Sequence, residues 1–232
     1  MPVSARLNAR PLPLTTPAPP GLRKLDAGGS RDCYLYVPQS YDPARPAPLV
    51  LLLHGSGGHA LQGLELLLHL ADDYGLILLA PASTAPTWDV IVSRRYGPDV
   101  ALIDQALAQV FSFYSVDASH TAIAGFSDGA SYALSVGLAN GRLFSHVIAF
   151  SPGYIAAMRA EGKPAIFISH GTSDDVLPVR YCSQTIVPRL RKAAYPVTYV
   201  EFDGGHAIPG GVSYCSVKWL LGLRPASAPV HG

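Results

Sequence analysis

Residues 121–134 read TAIAGFSDGASYAL and place Ser127 between two glycines. The apolar residues before the serine have the length and character of a buried strand, and the alanine-rich residues after it favour a helix. In a strand–turn–helix of this kind, the pattern G-x-S-x-G lifts a serine side chain clear of the backbone. The pattern is short and also suits an ordinary tight loop, so the role of Ser127 depends on the rest of the chain.

Strands and helices alternate along the chain on both sides of this stretch. Buried strands are predicted in PLVLLLHG, GLILLAP, SHVIAFSP, PAIFISHG and VTYVEFD, and RDCYLYVP predicts an earlier strand by its two-residue alternation. Residues 60–74, 99–114, 182–194 and 211–221 are predicted helices. This alternation predicts an α/β fold, with a mostly parallel central sheet and helices on both faces.

The predicted sheet and its helices form a single domain over residues 23–223. Residues 1–22 are rich in proline and predict an extended or disordered arm, and residues 224–232 predict a frayed C-terminal tail. The first residues contain no continuous apolar run typical of a secretory signal, which predicts a cytoplasmic protein unless a leader has been removed. No stretch is apolar over the roughly 18 residues that a membrane-spanning helix needs.

Composition narrows the expected partners and cofactors. The 232 residues carry a formal net charge of +1 without a cluster of lysine and arginine, so neither nucleic acid nor an anionic membrane is an expected partner. The cysteines lack C-x-x-C spacing, and histidines such as His59 and His120 have no acid or cysteine at ligand spacing, so no metal site is expected. A disulfide between Cys182 and Cys215 stays open, as does the oligomeric state.

Three loops at predicted strand ends carry a serine, an acid and a histidine in that order. They contain Ser127, then the adjacent pair Asp174 and Asp175, then His206. The carboxyl ends of parallel strands meet at one edge of a sheet, so these loops are expected to lie together. A serine is a poor nucleophile unless a base accepts its proton, histidine titrates near neutral pH, and an acid orients the imidazole. The order therefore favours a nucleophile-elbow hydrolase, whose chemistry needs no cofactor.

A tetrahedral intermediate on Ser127 would need N–H donors for its oxyanion. The backbone N–H of Asp128 begins the helix that follows the serine and is the first predicted donor. The N–H of Ser56, in the glycine-rich stretch His54-Gly55-Ser56-Gly57-Gly58 after an earlier strand, is the second predicted donor. His54 and His170 each precede a glycine at a strand end and are expected to bond nearby backbone groups.

Four stretches, LLLHGSGG, GFSDGASYAL, SHGTSDDVLP and FDGGHAIP, together resemble serine esterases of the α/β-hydrolase fold. The resemblance spans residues 31–221. It is to the phospholipase/carboxylesterase type, similar to acyl-protein thioesterases, and to the polyhydroxybutyrate-depolymerase and feruloyl-esterase group. It implies a serine carboxylesterase with the triad Ser127, Asp174 and His206, because Asp174 occupies the acid position of the family motif. The residues alone leave Asp175 and Asp203 open as the acid.

Two loops bear on access to the site. Trp88 and Tyr96, after the fourth strand, and Tyr154, after the sixth, are expected to line the substrate pocket, although these aromatics would equally suit packing of the loop onto the body. Residues 152–163 leave room for one short helix and no cap domain, which predicts a lidless cleft for short-chain or readily accessible small-molecule esters. The alternatives are a thioesterase, a polyester or feruloyl esterase, an acyltransferase, a peptidase and a non-catalytic binding module.

Overall fold

The computed structural model describes residues 4–11, 18–28 and 31–223. Within these ranges one eight-stranded sheet has the order β1-β2-β4-β3-β5-β6-β7-β8. The strands are β1 Gly21–Leu25, β2 Cys33–Val37, β3 Ala47–Leu53, β4 Ile77–Pro81, β5 Val116–Phe126, β6 His146–Phe150, β7 Ala165–Gly171 and β8 Val197–Phe202. β2 pairs antiparallel with β1 and with β4, and every other pair is parallel. The predicted mostly parallel sheet is therefore confirmed.

Helices cover both faces of this sheet. In the described part of the chain they are α1 Ala60–Glu65, α2 Ala71–Tyr74, α3 Asp89–Ser93, α4 Pro98–Phe113, α5 Asp128–Ala139, α6 Ser183–Lys192 and α7 Gly210–Leu220, with a 3₁₀ turn at Leu68–Leu70. The helix predicted over 60–74 is divided into short pieces, since Leu67 leaves the helical conformation with φ −134° and ψ 1°. α3 was not predicted, and residues 152–163 form no helix.

The sheet is buried on both faces because its central strands are apolar on both sides. In β3, Leu49, Leu51 and Leu53 face a core that they share with α4 and α5. Val50 and Leu52 face a second core, which they share with α1, α2 and α7. A strand whose alternate side chains enter two different cores reads as one continuous apolar run, as PLVLLL does.

The predicted arm over residues 1–22 is described in part, and that part is bound to the body. Leu7 is buried, and its N–H donates to Oδ1 of Asn140 at 2.9 Å. Nδ2 of Asn140 donates in return to the carbonyl of Ala5 at 2.7 Å. The N–H of Ala9 donates to the Asp104 carboxylate in α4 at 2.8 Å. The described residues near the start of the chain therefore bond to α4 and to the C-terminal end of α5.

The predicted domain boundaries can be compared with the structure only in places. β1 begins at Gly21, so the sheet starts before the predicted boundary at residue 23. Residues 1–3 and 12–17 of the predicted arm lie outside the described residues, as does the whole predicted tail at 224–232.

All three cysteines are free thiols, so no disulfide joins Cys182 to Cys215. Cys33 is buried in β2, and burial raises the pKa of its thiol to about 12. A thiol held in this neutral form behaves as a small apolar side chain.

Candidate active site

Ser127 lies at a sharp turn between β5 and α5. Its backbone has φ 57° and ψ −120°, a conformation that L-residues seldom adopt. A Cβ atom at Gly125 would lie 2.3 Å from the carbonyl oxygen of Gly129, and a Cβ at Gly129 would lie 2.2 Å from that of Leu53. Both flanking positions therefore require glycine, because no side chain fits where the two backbone segments pass each other.

The side chains of Ser127, His206 and Asp174 form a hydrogen-bonded series at the carboxyl edge of the sheet. The Oγ of Ser127 lies 2.9 Å from Nε2 of His206, and Nδ1 of His206 lies 2.7 Å from Oδ2 of Asp174. Ser127 follows β5, Asp174 follows β7 and His206 follows β8, so three strand ends bring the side chains together. The series is partly open to solvent, since the His206 side chain is 14% exposed.

Asp174 is held in its ionised form by its hydrogen bonds. Its Oδ1 accepts the N–H groups of Leu177 at 2.8 Å and Val176 at 3.0 Å. Burial alone would raise the pKa of this carboxyl, but the Leu177 amide and the His206 ring outweigh burial and lower the pKa below its ordinary value. An ionised Asp174 accepts the Nδ1–H of His206, which leaves Nε2 to accept the hydroxyl of Ser127.

The two alternative acids do not contact the histidine. Asp175 and Asp203 are exposed, and within the described residues neither carboxylate bonds to His206. Asp174 is 5% exposed and is the one of the three whose carboxylate reaches the imidazole. Of the two adjacent aspartates, only the first points inward, because the backbone N–H groups that follow it bind its carboxylate.

His54 and His170 bond to nearby backbone groups, as predicted. Nδ1 of His54 donates to the carbonyl of Gly55 at 2.7 Å, and its Nε2 accepts the N–H of Ser83 at 2.9 Å. Nε2 of His170 donates to the carbonyl of Leu177 at 2.7 Å. These bonds connect the ends of β3 and β7 to the loops that surround Ser127.

His170 has a further contact that the sequence does not reveal. Its Nε2 lies 3.2 Å from Oδ2 of Asp174, the oxygen that also bonds to His206. Its Nδ1 accepts the hydroxyl of Ser183 at 2.7 Å. Burial lowers the pKa of His170, so the ring stays neutral and donates through Nε2 alone. Asp174 therefore lies between two imidazoles, of which His206 is the one that reaches Ser127.

Both predicted oxyanion donors have free N–H groups. The N–H groups of Ser56 and Asp128 make no hydrogen bond to any other residue in the described ranges. The N–H of the next residue in the loop, Gly57, is by contrast bonded to a carbonyl in the loop after β4 at 2.7 Å. A Cβ at Gly55 would lie 3.4 Å from the Cβ of Ser127, so this loop passes directly beside the serine.

Arg31 fixes this loop and was not predicted as a site residue. Its guanidinium donates to the carbonyl of Gly58 at 2.7 Å, to that of Ser83 at 3.0 Å and to that of Ala85 at 2.7 Å. These three bonds join the loop after β3 to the loop after β4. Arg31 stands in no motif, so only the fold reveals that its side chain reaches both loops.

Trp88 and Tyr96 do not line a pocket, in contrast to the prediction. Trp88 is fully buried; its ring stacks on Tyr132 with the centroids 5.0 Å apart, and its Nε1 donates to the carbonyl of His54 at 3.0 Å. Tyr96 is only 9% exposed and also lies against Tyr132. Both rings therefore pack the loop onto the body, because burying their apolar area is favourable and the indole N–H finds a carbonyl there.

Tyr154 is the predicted pocket residue that lies at the surface. It is 42% exposed and lines a groove of about 600 Å³ together with Ile91, Arg94 and Ile155. The loop after β6 is therefore part of an open depression. No additional domain covers it in the part of the chain that the structure describes.

Two buried carboxylates brace the loop between β4 and α4. The two oxygens of Asp99 accept the N–H groups of Thr84 and Asp89, each at 2.6 Å. Oδ2 of Asp89 accepts the N–H of Gly97 at 2.8 Å, and its Oδ1 accepts the hydroxyl of Tyr132 in α5 at 3.1 Å. The hydrogen bond to Tyr132 connects this loop to the helix that begins at the elbow.

Replacing Asp89 with asparagine should leave the protein folded and remove the free-energy cost of ionising a buried carboxyl group, a cost that appears as the pH rises. Burial, and then the charge of Asp99, raise the pKa of Asp89, so the proton on Asp89 stabilises the fold below the carboxyl's unfolded pKa. That stability is lost as the pH rises through the raised pKa. An asparagine can keep the amide bonds through its oxygen and donate its NH₂ to Tyr132. Urea unfolding should show the stability of the variant, relative to the unchanged protein, improving from about pH 4 to about pH 7.

Asp89→Ala is the contrasting variant for this test. It leaves the N–H of Gly97 and the hydroxyl of Tyr132 without partners and should lower the free energy of unfolding by about 2–4 kcal/mol. If the asparagine and alanine substitutions destabilised the protein equally, the expectation that a neutral asparagine is tolerated at this position would be wrong.

Ser151→Gly should stabilise the protein by about 1 kcal/mol. Ser151 is fully buried after β6, has φ 51°, and its hydroxyl has no partner within the described residues. Glycine removes the strained Cβ and the unpaired hydroxyl, at the cost of a more flexible unfolded chain. The free energy of unfolding in urea measures the gain. Ser169→Ala removes another unpartnered hydroxyl, from a residue whose φ is not positive, so a larger gain there would contradict the role given to backbone strain.

The turn at Ser127, at the carboxyl end of a mostly parallel sheet with helices on both faces, defines an α/β-hydrolase. Residues 95–212 match the phospholipase/carboxylesterase family. This match spans just over half of the chain, so the chain belongs to that family, and its members' class of reaction makes it a hydrolase of ester bonds.

Similar proteins include fungal esterases. "Probable feruloyl esterase C" of Aspergillus oryzae is 29% identical over 230 residues, which cover 83% of this chain and 81% of that protein. "Feruloyl esterase C" of Emericella nidulans is 26% identical over 214 residues, which cover 76% of each chain.

Solved structures of esterases have a similar fold. Esterase PE8 superposes with a TM-score of 0.66 at 25% identity, over 82% of this chain and 97% of that one. A CE1 ferulic acid esterase from Anaeromyces mucronatus, in complex with ferulic acid, has a TM-score of 0.62 over 79% of this chain and 81% of its own. Its identity is 21%, so this second likeness concerns the fold alone.

Two kinds of feature are not found within the described ranges. None of the helices there has the length and apolar character needed to cross a bilayer. No group of three or more histidine, cysteine or acidic side chains there is arranged to hold a metal ion. The cytoplasmic location stays a prediction.

Proposed function

We propose that the protein is a serine carboxylesterase that forms an acyl-enzyme on Ser127. The observation that carries this proposal is the hydrogen-bonded series from Ser127 through His206 to Asp174, beside two unbonded N–H groups. A nucleophile, a base, an orienting acid and an oxyanion site are the parts that acyl transfer needs.

In the proposed mechanism, Nε2 of His206 accepts the proton of Ser127 as the Oγ attacks the ester carbonyl. The N–H groups of Ser56 and Asp128 bind the oxyanion of the tetrahedral intermediate. His206 then protonates the leaving alcohol, and the acyl group remains on Ser127. Water, deprotonated by His206, attacks the acyl-enzyme and releases the acid. The ionised Asp174 stabilises the imidazolium that forms in each half of the cycle.

The proposed substrates are short-chain or readily accessible carboxylic esters. This choice is supported by the open groove at Tyr154 and by residues 152–163, which pass over the surface without adding a lid. An interfacially activated enzyme would need apolar surface that a lid covers and exposes. Initial rates on p-nitrophenyl esters from acetate to palmitate test the preference, and a strong preference for palmitate would argue against it.

Feruloyl-type esters are the second candidate substrate class. Similar proteins are named feruloyl esterases, and the groove beside Tyr154 has apolar walls large enough for an aromatic acyl group. Methyl ferulate and p-nitrophenyl butyrate, assayed side by side, separate a feruloyl esterase from a general one.

A fluorophosphonate probe tests the nucleophile directly, because it reacts with an activated serine and mimics the tetrahedral intermediate. We expect stoichiometric labelling of native protein, mapped by peptide mass spectrometry to Ser127, and none after denaturation. Labelling of another serine, or none in native protein, would exclude the mechanism and favour a non-catalytic module. A parallel panel of amides distinguishes a peptidase, and product analysis with added alcohol distinguishes an acyltransferase.

A further inference from the structure

The groove beside the elbow has an apolar floor and a charged rim. It lies between α3 and the segment that follows β6, and it has a volume of about 600 Å³. Its walls include Val90, Ile91, Tyr154 and Ile155, and Arg94 is the charged residue among those that line it. An apolar groove of this size accommodates a small organic group, and a single cation at its rim favours one with a negative charge.

The groove is connected to the elbow by hydrogen bonds. The N–H of Ser131, in the first turn of α5, donates to the carbonyl of Ser127 at 3.1 Å. The Oγ of Ser131 accepts the N–H of Gly153 at 2.9 Å and that of Tyr154 at 3.4 Å. The wall of the groove that contains Tyr154 is therefore held one helical turn from the proposed nucleophile.

Arg94 is exposed, and no carboxylate in the described part of the chain pairs with it. Its guanidinium makes no salt bridge or hydrogen bond to the residues in the described ranges. Its backbone is left-handed, with φ 57° and ψ 22°, and ends α3. A non-glycine residue in this conformation is strained, and such strain is common at ligand sites. The sequence Arg94-Arg95-Tyr96-Gly97 thus places a cation where a glycine would be easier to accommodate.

A negative charge lies beside the elbow, on Asp128, the residue that follows Ser127. The Asp128 carboxylate accepts the hydroxyl of Thr87 at 2.8 Å. Burial, and then the charge of Asp128, raise the pKa of the Tyr154 phenol, while Arg94 acts in the opposite direction. The phenol is therefore within electrostatic range of both charges, the anion beside the serine and the cation at the rim. A substrate anion is repelled close to the ester and attracted at a distance from it.

We propose that Arg94 selects esters that carry a second, anionic group, such as a carboxylate, separated from the scissile ester by an apolar spacer. This inference rests on the proposed function, because it places the substrate between Ser127 and the groove. The apolar spacer lies between Ile91 and Ile155, and the carboxylate meets the guanidinium at the rim. The anion belongs either to the acid part or to the alcohol part of the ester, and the same cation recognises both.

Two matched substrate pairs test the proposal. Monoethyl glutarate and ethyl glutaramate differ by one charge on the acid part, and meta-acetoxybenzoate and meta-acetoxybenzamide differ by one charge on the alcohol part. In at least one pair, kcat/KM for the anionic ester should exceed that for the neutral one by about five- to tenfold at low ionic strength. Arg94→Gln should reduce that ratio to about one. Because each ratio is normalised to the neutral ester, a general loss of activity cancels.

Arg95→Gln is the matched control. Arg95 carries the same charge next in the chain and does not line the groove, so its replacement should leave the ratio unchanged. Added salt should lower the ratio of the unchanged protein, because a partly exposed ion pair is screened. The inference is overturned if neither pair shows a preference, or if both arginine variants lower it equally. If none of the four esters is hydrolysed, and p-nitrophenyl butyrate and methyl ferulate are not hydrolysed either, the proposed function is overturned instead.

Discussion

Ser127→Ala should lower kcat/KM for p-nitrophenyl butyrate by about 10⁴-fold or more, while the thermal unfolding curve stays unchanged. In the proposed mechanism the hydroxyl oxygen is the atom that forms the acyl bond, so no neighbouring group replaces it. The proposed oxyanion donors and binding groove remain, and they would account for the small residual rate. Initial rates with and without the fluorophosphonate probe measure the effect, because the residual activity of the variant should be insensitive to the probe.

A serine at the other end of the same strand provides the control. Ser119 lies near the start of β5, is exposed, and bonds to Asp117 rather than to His206. Ser119→Ala should therefore retain full activity and full sensitivity to the probe. Ester hydrolysis that survives in purified Ser127→Ala protein, above the rate of a mock purification, would exclude Ser127 as the nucleophile.

The sheet and the positions of the site loops were predictable because they depend on local patterns. The central strands are short, continuously apolar and bounded by glycine, a pattern that is typical of a sheet buried on both faces. A parallel sheet brings the carboxyl ends of its strands to one edge, so residues as distant as Ser127 and His206 were expected to meet. The glycines at 125 and 129 are explained by the close backbone approach at the elbow.

The residues that support the site were not predictable in the same way. Arg31 acts through a long side chain that reaches three carbonyls on two loops, and no spacing in the sequence encodes that reach. Asp89 and Asp99 are both buried, because backbone N–H groups of an irregular loop need acceptors. Which side chains bond to the backbone groups of an irregular loop depends on the three-dimensional path of that loop, and sequence patterns describe this path poorly.

Trp88 shows the limit of an argument from residue type. An aromatic residue near a predicted site can line a pocket or pack into the core, and the loop sequence does not decide between the two. The deciding feature is the indole N–H, which reaches the carbonyl of His54 in the interior. Tyr154 is turned outward in the segment after β6, whose N–H groups bond to Ser131 and Ser135 in α5. Neither outcome follows from the identity of the aromatic residue.

At Asp128 the side-chain carboxylate and the backbone N–H have to be considered separately. The residue after the nucleophile carries a carboxylate that reads as a catalytic acid, yet that carboxylate bonds to Thr87 at 2.8 Å. Its backbone N–H, unbonded within the described residues, is the group with the proposed role in the reaction. The carboxylate instead supplies a negative charge beside the elbow.

Asp174→Asn should lower kcat by about 10³–10⁴-fold with little change in KM for a small ester. The Asn oxygen would take the place of Oδ1 and accept the N–H groups of Val176 and Leu177, so the NH₂ group would face the imidazoles. The NH₂ group would be a donor facing the Nδ1–H of His206, which is also a donor. To accept the NH₂ at Nδ1 the ring would carry its proton on Nε2, and it could then not accept the proton of Ser127. His170 would face the same NH₂ with its own Nε2–H, so the only acceptor left for the amide is Nδ1 of His206, and that bond holds the ring in the inactive tautomer.

Asp175→Asn separates this explanation from a general effect of charge. It makes the same substitution one residue later, on an exposed side chain that does not bond to His206, and should retain activity within about twofold. Single-turnover rates for both variants locate the loss in the chemical step, where the tautomer of His206 matters. A loss of less than tenfold in Asp174→Asn would mean that the hydrogen bond at 2.7 Å does not control the base. Equal losses in the two variants would mean that the local negative charge, rather than the inward carboxylate, supports the reaction.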